Sequence, residues 1–187
     1  VEVPCIINGK EVTTGDLVEM RCPHNHKQLL GHYHRASSKE TEMAITAANE
    51  AKRAWSRMDW SSRATVLLRA GELLAGKYRQ TLNAATMLCT SKTCHQAEID
   101  AACELIDFWR FNPYFMTKIY DDQPTSTKDV LNYMEHRPLE GFVFAISPFN
   151  FASIAGNLPT SPALMGNAVL WKPASSSILP AYYIMKI

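Results

Sequence analysis

The segment that most restricts the fold is Gly141-Phe142-Val143-Phe144-Ala145-Ile146. It is an apolar run without alternation, which suits a strand buried on both faces, as in a parallel sheet. Ala168-Val169-Leu170-Trp171 reads as a second such strand. Between them Asn150 to Met165 can form a helix, with Pro159 and Pro162 making its middle irregular, and Ile178 to Ile187 begins another. Strand, helix, strand, helix is the opening of a βαβ sheet. Parallel sheets normally have more than two strands and both faces covered. The expected class is therefore α/β: N-terminal helices plus the start of a Rossmann-like parallel sheet, an incomplete fold.

Upstream, the residues before Arg35 read as extended and irregular. Cys5-Ile6-Ile7 and Lys10-Glu11-Val12 flank Asn8-Gly9, a hairpin turn that needs positive φ. Leu29 to His34 reads as a strand after a polar loop from Cys22 to Gln28. Helices follow. Ser37 and Glu40 form a capping box, and Ala44, Ala47, Ala48, Ala51, Ala54 and Trp55 make one stripe at helical spacing. Ser61 or Ser62 opens a second helix with Ala64, Leu67, Leu68, Leu74 and Ala75 inward. A third covers Tyr78 to Cys89, and a fourth runs from Thr93 to Phe111 and should end before Pro113. Leu131 to His136 alternates apolar and polar, which suggests an exposed strand.

Composition excludes several classes. Lys plus Arg is 19 and Asp plus Glu is 18, so no basic excess favours nucleic acid. No apolar run approaches the ~20 residues of a membrane helix, and no signal peptide is visible at Val1. Cys5, Cys22, Cys89, Cys94 and Cys103 are an odd count without paired spacing, which suits small core residues in a reducing compartment. Neighbouring Cys94 and His95 point about 100° apart on a helix, which argues against a nucleophilic dyad. Cys22, His24, His26, His32 and His34 lack a second ligand pair of the zinc kind, so no metal is expected.

Two segments can carry chemistry. Ile146-Ser147-Pro148-Phe149-Asn150-Phe151 lies between a buried strand and a helix, the crevice where open α/β sheets bind ligands. An Asn there is most often a helix cap; its amide can alternatively donate to a developing oxyanion. Leu170-Trp171-Lys172-Pro173-Ala174-Ser175 puts a Lys at a strand end, either solvated or reaching a ribose or phosphate. Glu104 falls on a helical wheel among Ala97, Ala101, Phe108 and Phe111, where a carboxylate needs a partner; a neighbouring Lys or Arg would serve. Asp100 and Asp107 read as a solvated acidic edge.

Pro138-Leu139-Glu140-Gly141, Ser147 to Phe151, Pro162 to Asn167 and Trp171-Lys172-Pro173, in this order and spacing, resemble the aldehyde dehydrogenase superfamily. Gln96 to Ala102 and Glu104 to Asn112 are similar to one branch, the L-glutamate γ-semialdehyde (1-pyrroline-5-carboxylate) dehydrogenases. The resemblance implies NAD as cofactor, a small-molecule substrate and a role in proline catabolism. It implies that Asn150 is the oxyanion-stabilising Asn and that Lys172 binds the adenosine ribose. Ile146, Ser147, Pro148 and Phe149 would line the cofactor cleft, while Glu104 would face the substrate ammonium and Phe151 its methylenes. Ser175 stands where many relatives carry a ribose-binding Glu, which loosens the preference for NAD over NADP. Cys89-Thr90-Ser91-Lys92-Thr93 replaces a stretch that usually carries Gly and Gln.

The resemblance also implies a division of the chain: 1–120 as the N-terminal helical part of the nucleotide-binding domain, 121–138 as an oligomerisation strand region, and 139–187 as the first βαβ unit. The catalytic cysteine, the general-base Glu and the glycine-containing cofactor turn are expected beyond Ile187, so this stretch alone should be inactive. At least a homodimer is expected, in the mitochondrial matrix of a eukaryote or the cytoplasm of a bacterium. The alternative is a non-catalytic structural subunit or NAD-binding module.

Overall fold

The computed structural model describes residues 1–187. Five strands open the chain: β1 (Glu2–Val3), β2 (Cys5–Ile7), β3 (Lys10–Val12), β4 (Leu17–Cys22) and β5 (Asn25–His34). β2 and β3 form the expected hairpin, with Asn8 at φ 51° and Gly9 at φ 71°, both in the left-handed region that this tight turn requires. β4 and β5 pair antiparallel, and β1 adds parallel to β5. The expected polar loop from Cys22 to Gln28 is instead the end of β4, a tight reversal and the start of β5. Residues 25–29 are exposed in the strand, so no apolar alternation marked them.

Helix α1 (Ser38–Trp55) starts at the expected capping box: the Ser37 N–H donates to the Glu40 carboxylate at 3.0 Å. Its alanine stripe is only half-buried, and Ala51 and Ala54 are exposed. Trp55 anchors the far end by donating its indole N–H to the Ala163 carbonyl at 2.8 Å. Helix α2 (Trp60–Ala75) starts before Ser61, because the Asp59 carboxylate accepts from the Ser61 N–H at 2.9 Å and caps it. Ala64, Leu67 and Leu74 are buried; Leu68, expected inside, is exposed.

Helix α3 (Arg79–Thr90) ends at Ser91 in the left-handed conformation. A short helix, α4 (Cys94–Ala97), opens on a Thr93–Gln96 capping box, widens into a π-turn (Glu98–Cys103) and continues as α5 (Glu104–Asp121). The expected stop before Pro113 does not occur. A proline inside a helix costs about 3 kcal/mol. Burying side chains of the size of Trp109 and Met116 contributes about 1.5–3 kcal/mol each, enough to carry α5 through the buried Pro113.

Residues 131–136 form no strand; Leu131 and Tyr133 are exposed, without a ladder partner. The segment is held by side chains instead. The Gln123 carbonyl accepts from the Met134 N–H at 2.7 Å, and the Ser126 hydroxyl accepts from the Asn132 N–H at 3.0 Å.

Strand β6 (Val143–Ile146), helix α6 (Ala152–Leu164) and strand β7 (Val169–Lys172) make the expected parallel βαβ unit, Val143 facing Val169 and Ile146 facing Lys172. Helix α7 (Ile178–Lys186) follows a 3₁₀ turn (Ser175–Ser177). Burial of β6 on both faces is not found. Ala145 is buried, while Phe144 and Ile146 are exposed, because α6 covers one face only. No helix is long and apolar enough to cross a membrane.

The main core joins α2, α5, α6 and α7 through Leu67, Leu74, Leu105, Ile106, Trp109, Leu164 and Ile184. Trp109 is 2% exposed and donates its indole N–H to the Thr160 hydroxyl at 3.0 Å. Trp109→Ala is expected to cost about 3–5 kcal/mol, read from urea unfolding, and Trp109→Phe distinctly less.

Candidate active site

The site is built where β6 ends and α6 begins. Ser147 is buried and tied to β7 twice: its N–H donates to the Lys172 carbonyl at 3.3 Å, and its hydroxyl accepts the Trp171 indole N–H at 2.9 Å. Pro148, Phe149 and Asn150 then run exposed across the strand end. α6 starts at Ala152 with Phe151 at the cap position and no side-chain cap, so Asn150 is not the helix cap. Its side-chain amide makes no hydrogen bond within the chain and is available to a ligand.

The opposite wall comes from the loop after α3 and from the π-turn. The Lys92 ammonium donates to the Asp100 carboxylate and to the Asn150 carbonyl, and it lies over the Phe151 ring, 4.5 Å from its centre. Asp100 is buried rather than part of a solvated edge; Asp107 is exposed as expected. Burial pushes the Asp100 carboxyl above its ordinary range, Lys92 pulls it only part of the way back, and the Glu104 charge adds to the rise. One Asp100 oxygen, Oδ1, is buried without a hydrogen-bond partner.

Glu104 opens α5 half-buried and accepts a hydrogen bond from the fully buried Ser153 hydroxyl. No Lys or Arg pairs with it, so the salt-bridge reading is not realised. The structure thus gathers Glu104, Asn150 and Phe151 through three residues that sequence reasoning missed: Lys92, Asp100 and Ser153. A signal for Asp100 existed. It lies four residues before Glu104 and therefore on the same helical face.

A second group rings the carboxyl edge of the two strands. Ile146 and Phe149 expose apolar surface there, and Ser175 is exposed at the start of the 3₁₀ turn. Lys172 faces Ile146 in register and is exposed, with no carboxylate within 4 Å. An unpaired ammonium beside apolar walls suits a ligand with a flat ring and anionic or hydroxyl groups.

The remaining polar clusters are separate. Arg79 pairs with Glu98, which also accepts from the Asn83 amide. That pairing holds the Glu98 carboxyl below its ordinary range, with the Arg79 hydrogen bond as the largest cause. His24 contacts Cys22 and Ser91, whereas His34 pairs with Glu2. Burial raises the thiols of Cys5 and Cys103, and lifts Cys89 to about 11.

These two clusters lie at the carboxyl edge of a parallel βαβ unit, the place where open α/β sheets bind ligands. The sequence profile described as the aldehyde dehydrogenase family matches residues 11–187, and the chain belongs to that family. It is 48% identical to the probable delta-1-pyrroline-5-carboxylate dehydrogenase of Schizosaccharomyces pombe, over 100% of this chain and 34% of that protein. It is 49% identical to the delta-1-pyrroline-5-carboxylate dehydrogenase of Agaricus bisporus, with the same coverage. Among solved structures, the Mycobacterium tuberculosis delta-pyrroline-5-carboxylate dehydrogenase bound with NAD superimposes with a TM-score of 0.96 at 48% identity, over 99% of this chain and 35% of that one. The chain spans about a third of the length of the curated relatives it matches. Relatives from Dictyostelium discoideum and Mus musculus are named mitochondrial.

Two carboxyls on one π-turn are shifted in opposite directions, which gives opposite pH effects. The depressed Glu98 adds stability above the ordinary carboxylate range, and this is lost as pH falls through its folded value. The raised Asp100 adds stability below the ordinary range, and this is lost as pH rises through its folded value. In a melting-temperature series from pH 3 to 7, Glu98→Gln should flatten the acid-side loss. Asp100→Asn should flatten the fall just above the ordinary carboxylate range.

Proposed function

We propose that this chain forms part of an NAD-dependent dehydrogenase that oxidises L-glutamate γ-semialdehyde, the open form of 1-pyrroline-5-carboxylate, to L-glutamate in proline catabolism. The observation that carries this reading is Glu104. It is a half-buried carboxylate without a cationic partner, tied through Ser153 to the helix that follows the free Asn150 amide and the Phe151 ring. An unpaired carboxylate in a partly dry site is costly unless a ligand brings the cation. The α-ammonium of the semialdehyde would supply it, with the methylene chain against Phe151.

The net change is loss of a hydride from the aldehyde carbon and gain of a hydroxyl from water, with water's other proton released. NAD, when bound, accepts that hydride. The Asn150 amide donates to the substrate oxygen as it gains negative charge, an interaction stronger in the transition state than in the ground state. Lys172 would meet a ribose hydroxyl; Ile146, Ser147, Pro148 and Phe149 would flank the dinucleotide, and Ser175 would lie near its ribose. The free ammonium and the exposed apolar edge fit such a ligand.

None of the five cysteines is assigned as the nucleophile. Cys5, Cys89 and Cys103 are pushed away from the thiolate form, Cys22 is fully buried, and the exposed Cys94 thiol has no hydrogen-bonded base to activate it. A verified 187-residue product should therefore show no aldehyde oxidation. Division of the chain into nucleotide-binding and oligomerisation regions, with 131–136 pairing to a second copy, belongs to the same reading. So does location in the mitochondrial matrix for a eukaryotic source or the cytoplasm for a bacterial one.

In the intact protein, Asn150→Ala should lower kcat by about 10²–10³ on every aldehyde. Glu104→Gln should lower kcat/KM for the γ-semialdehyde by at least about tenfold more than for an aldehyde lacking the amino group. Equal losses on both substrates would sink the ammonium contact.

A further inference from the structure

Residues 148–150 are weakly held for a segment that must aim a catalytic amide. Ser147 is the last residue tied to the sheet, and Phe151 is the first whose carbonyl takes part in α6, accepting from the Ala155 N–H at 3.0 Å. Between them the backbone makes no ladder or helix hydrogen bond. The one hydrogen bond that residues 148–150 receive from the rest of the chain is the Lys92 ammonium on the Asn150 carbonyl.

Lys92 is well placed to fix that segment. Its side chain is 18% exposed and that of Asp100 is 9% exposed, so the pair sits largely out of water. An ammonium has three N–H donors. Here they meet the Asp100 carboxylate, the Asn150 carbonyl and the face of the Phe151 ring. Asp100 stands on the π-turn, within the body that carries Glu104. The ion pair therefore links the substrate-facing start of α5 to the turn before α6.

We propose that Lys92 is the positioning residue of this site: anchored on Asp100, it clamps the Asn150 carbonyl and the Phe151 ring, and so sets the direction of the Asn150 amide. The proposal rests on the dehydrogenase reading for its consequence but not for the clamp itself. Loss of the ammonium frees the peptide at Asn150 to rotate, and the side-chain amide turns with it. Arg keeps the charge and can stack on the ring, but its planar fork cannot reproduce a compact three-way contact.

The test is hydrogen–deuterium exchange of the intact protein, comparing wild type with Lys92→Met, Lys92→Arg and Asp100→Asn, alongside steady-state kinetics. Lys92→Met should speed exchange of the first bonded amides of α6, at 155–157, by about tenfold or more, because Ala155 is held by the Phe151 carbonyl, with the core of α2 and α5 unchanged. Lys92→Arg should restore part of the protection, and Asp100→Asn should loosen the same peptide. In the kinetic arm, kcat should fall on every aldehyde oxidised, while KM for NAD stays within about twofold. Unchanged exchange at 155–157 would overturn the clamp, as would a rise spread evenly over the protein. A loosened turn with wild-type kcat would overturn the positioning role. Should wild type oxidise no aldehyde, the dehydrogenase reading fails, and the exchange arm still decides the clamp. If Lys92→Met does not fold, the Arg and Asn variants carry the same comparison.

Discussion

The parallel contact between α5 and α6 sets the geometry on which the site depends. It is made in steps along both helices. Glu104 meets Ser153, Leu105 packs on Gly156, the Trp109 indole reaches Thr160, and the Asn112 amide donates to Asn157 at 2.8 Å and Ser161 at 3.3 Å. At Gly156 an added Cβ would stand 2.8 Å from a Leu105 methyl carbon, so Leu105 packs directly on the α6 backbone and any larger residue there would displace it. Polar bonds at the rim and close apolar contact at the centre leave little room for one helix to slide on the other. The carboxylate at the start of α5 is thereby held against the first turn of α6.

The π-turn does the complementary electrostatic work. Its wider coil carries Glu98 outward to Arg79 and Asp100 inward to Lys92. One carboxyl is easier to ionise than usual and the other harder, because solvent and a well-aligned guanidinium reach the first while burial dominates at the second. A buried pair with an orphan oxygen is poor evidence for stability. Its value here is directional: it brings a cation to the one stretch of backbone at the site that neither the sheet nor a helix holds.

The βαβ unit was legible because a run such as Val143–Ile146 followed by a helix and Val169–Trp171 admits few alternatives. The hairpin at Asn8-Gly9 and the Ser37 capping box were legible for the same local reason. Tertiary forces explain the failures. Pro113 did not stop α5 because packing outweighed its local cost. The start of β5 was missed because its exposed residues carry no pattern, whereas β4 alternates, with Val18, Met20 and Cys22 inward and Glu19 and Arg21 outward, and was open to reading. Glu104, Asn150 and Phe151 came from motifs and do lie around one cluster. Lys92, Asp100 and Ser153 belong to no short motif, since their roles arise only when the loop after α3, the π-turn and α6 meet.

The account stands or falls on recognition of an amino acid by the Glu104 wall. The most direct measurement is a crystal structure of the intact protein with L-glutamate, the proposed product. The account predicts the α-ammonium at about 3 Å from the Glu104 carboxylate, with a γ-carboxyl oxygen facing the Asn150 amide. An α-ammonium bound by other groups, with Glu104 still engaged only by Ser153, would contradict it.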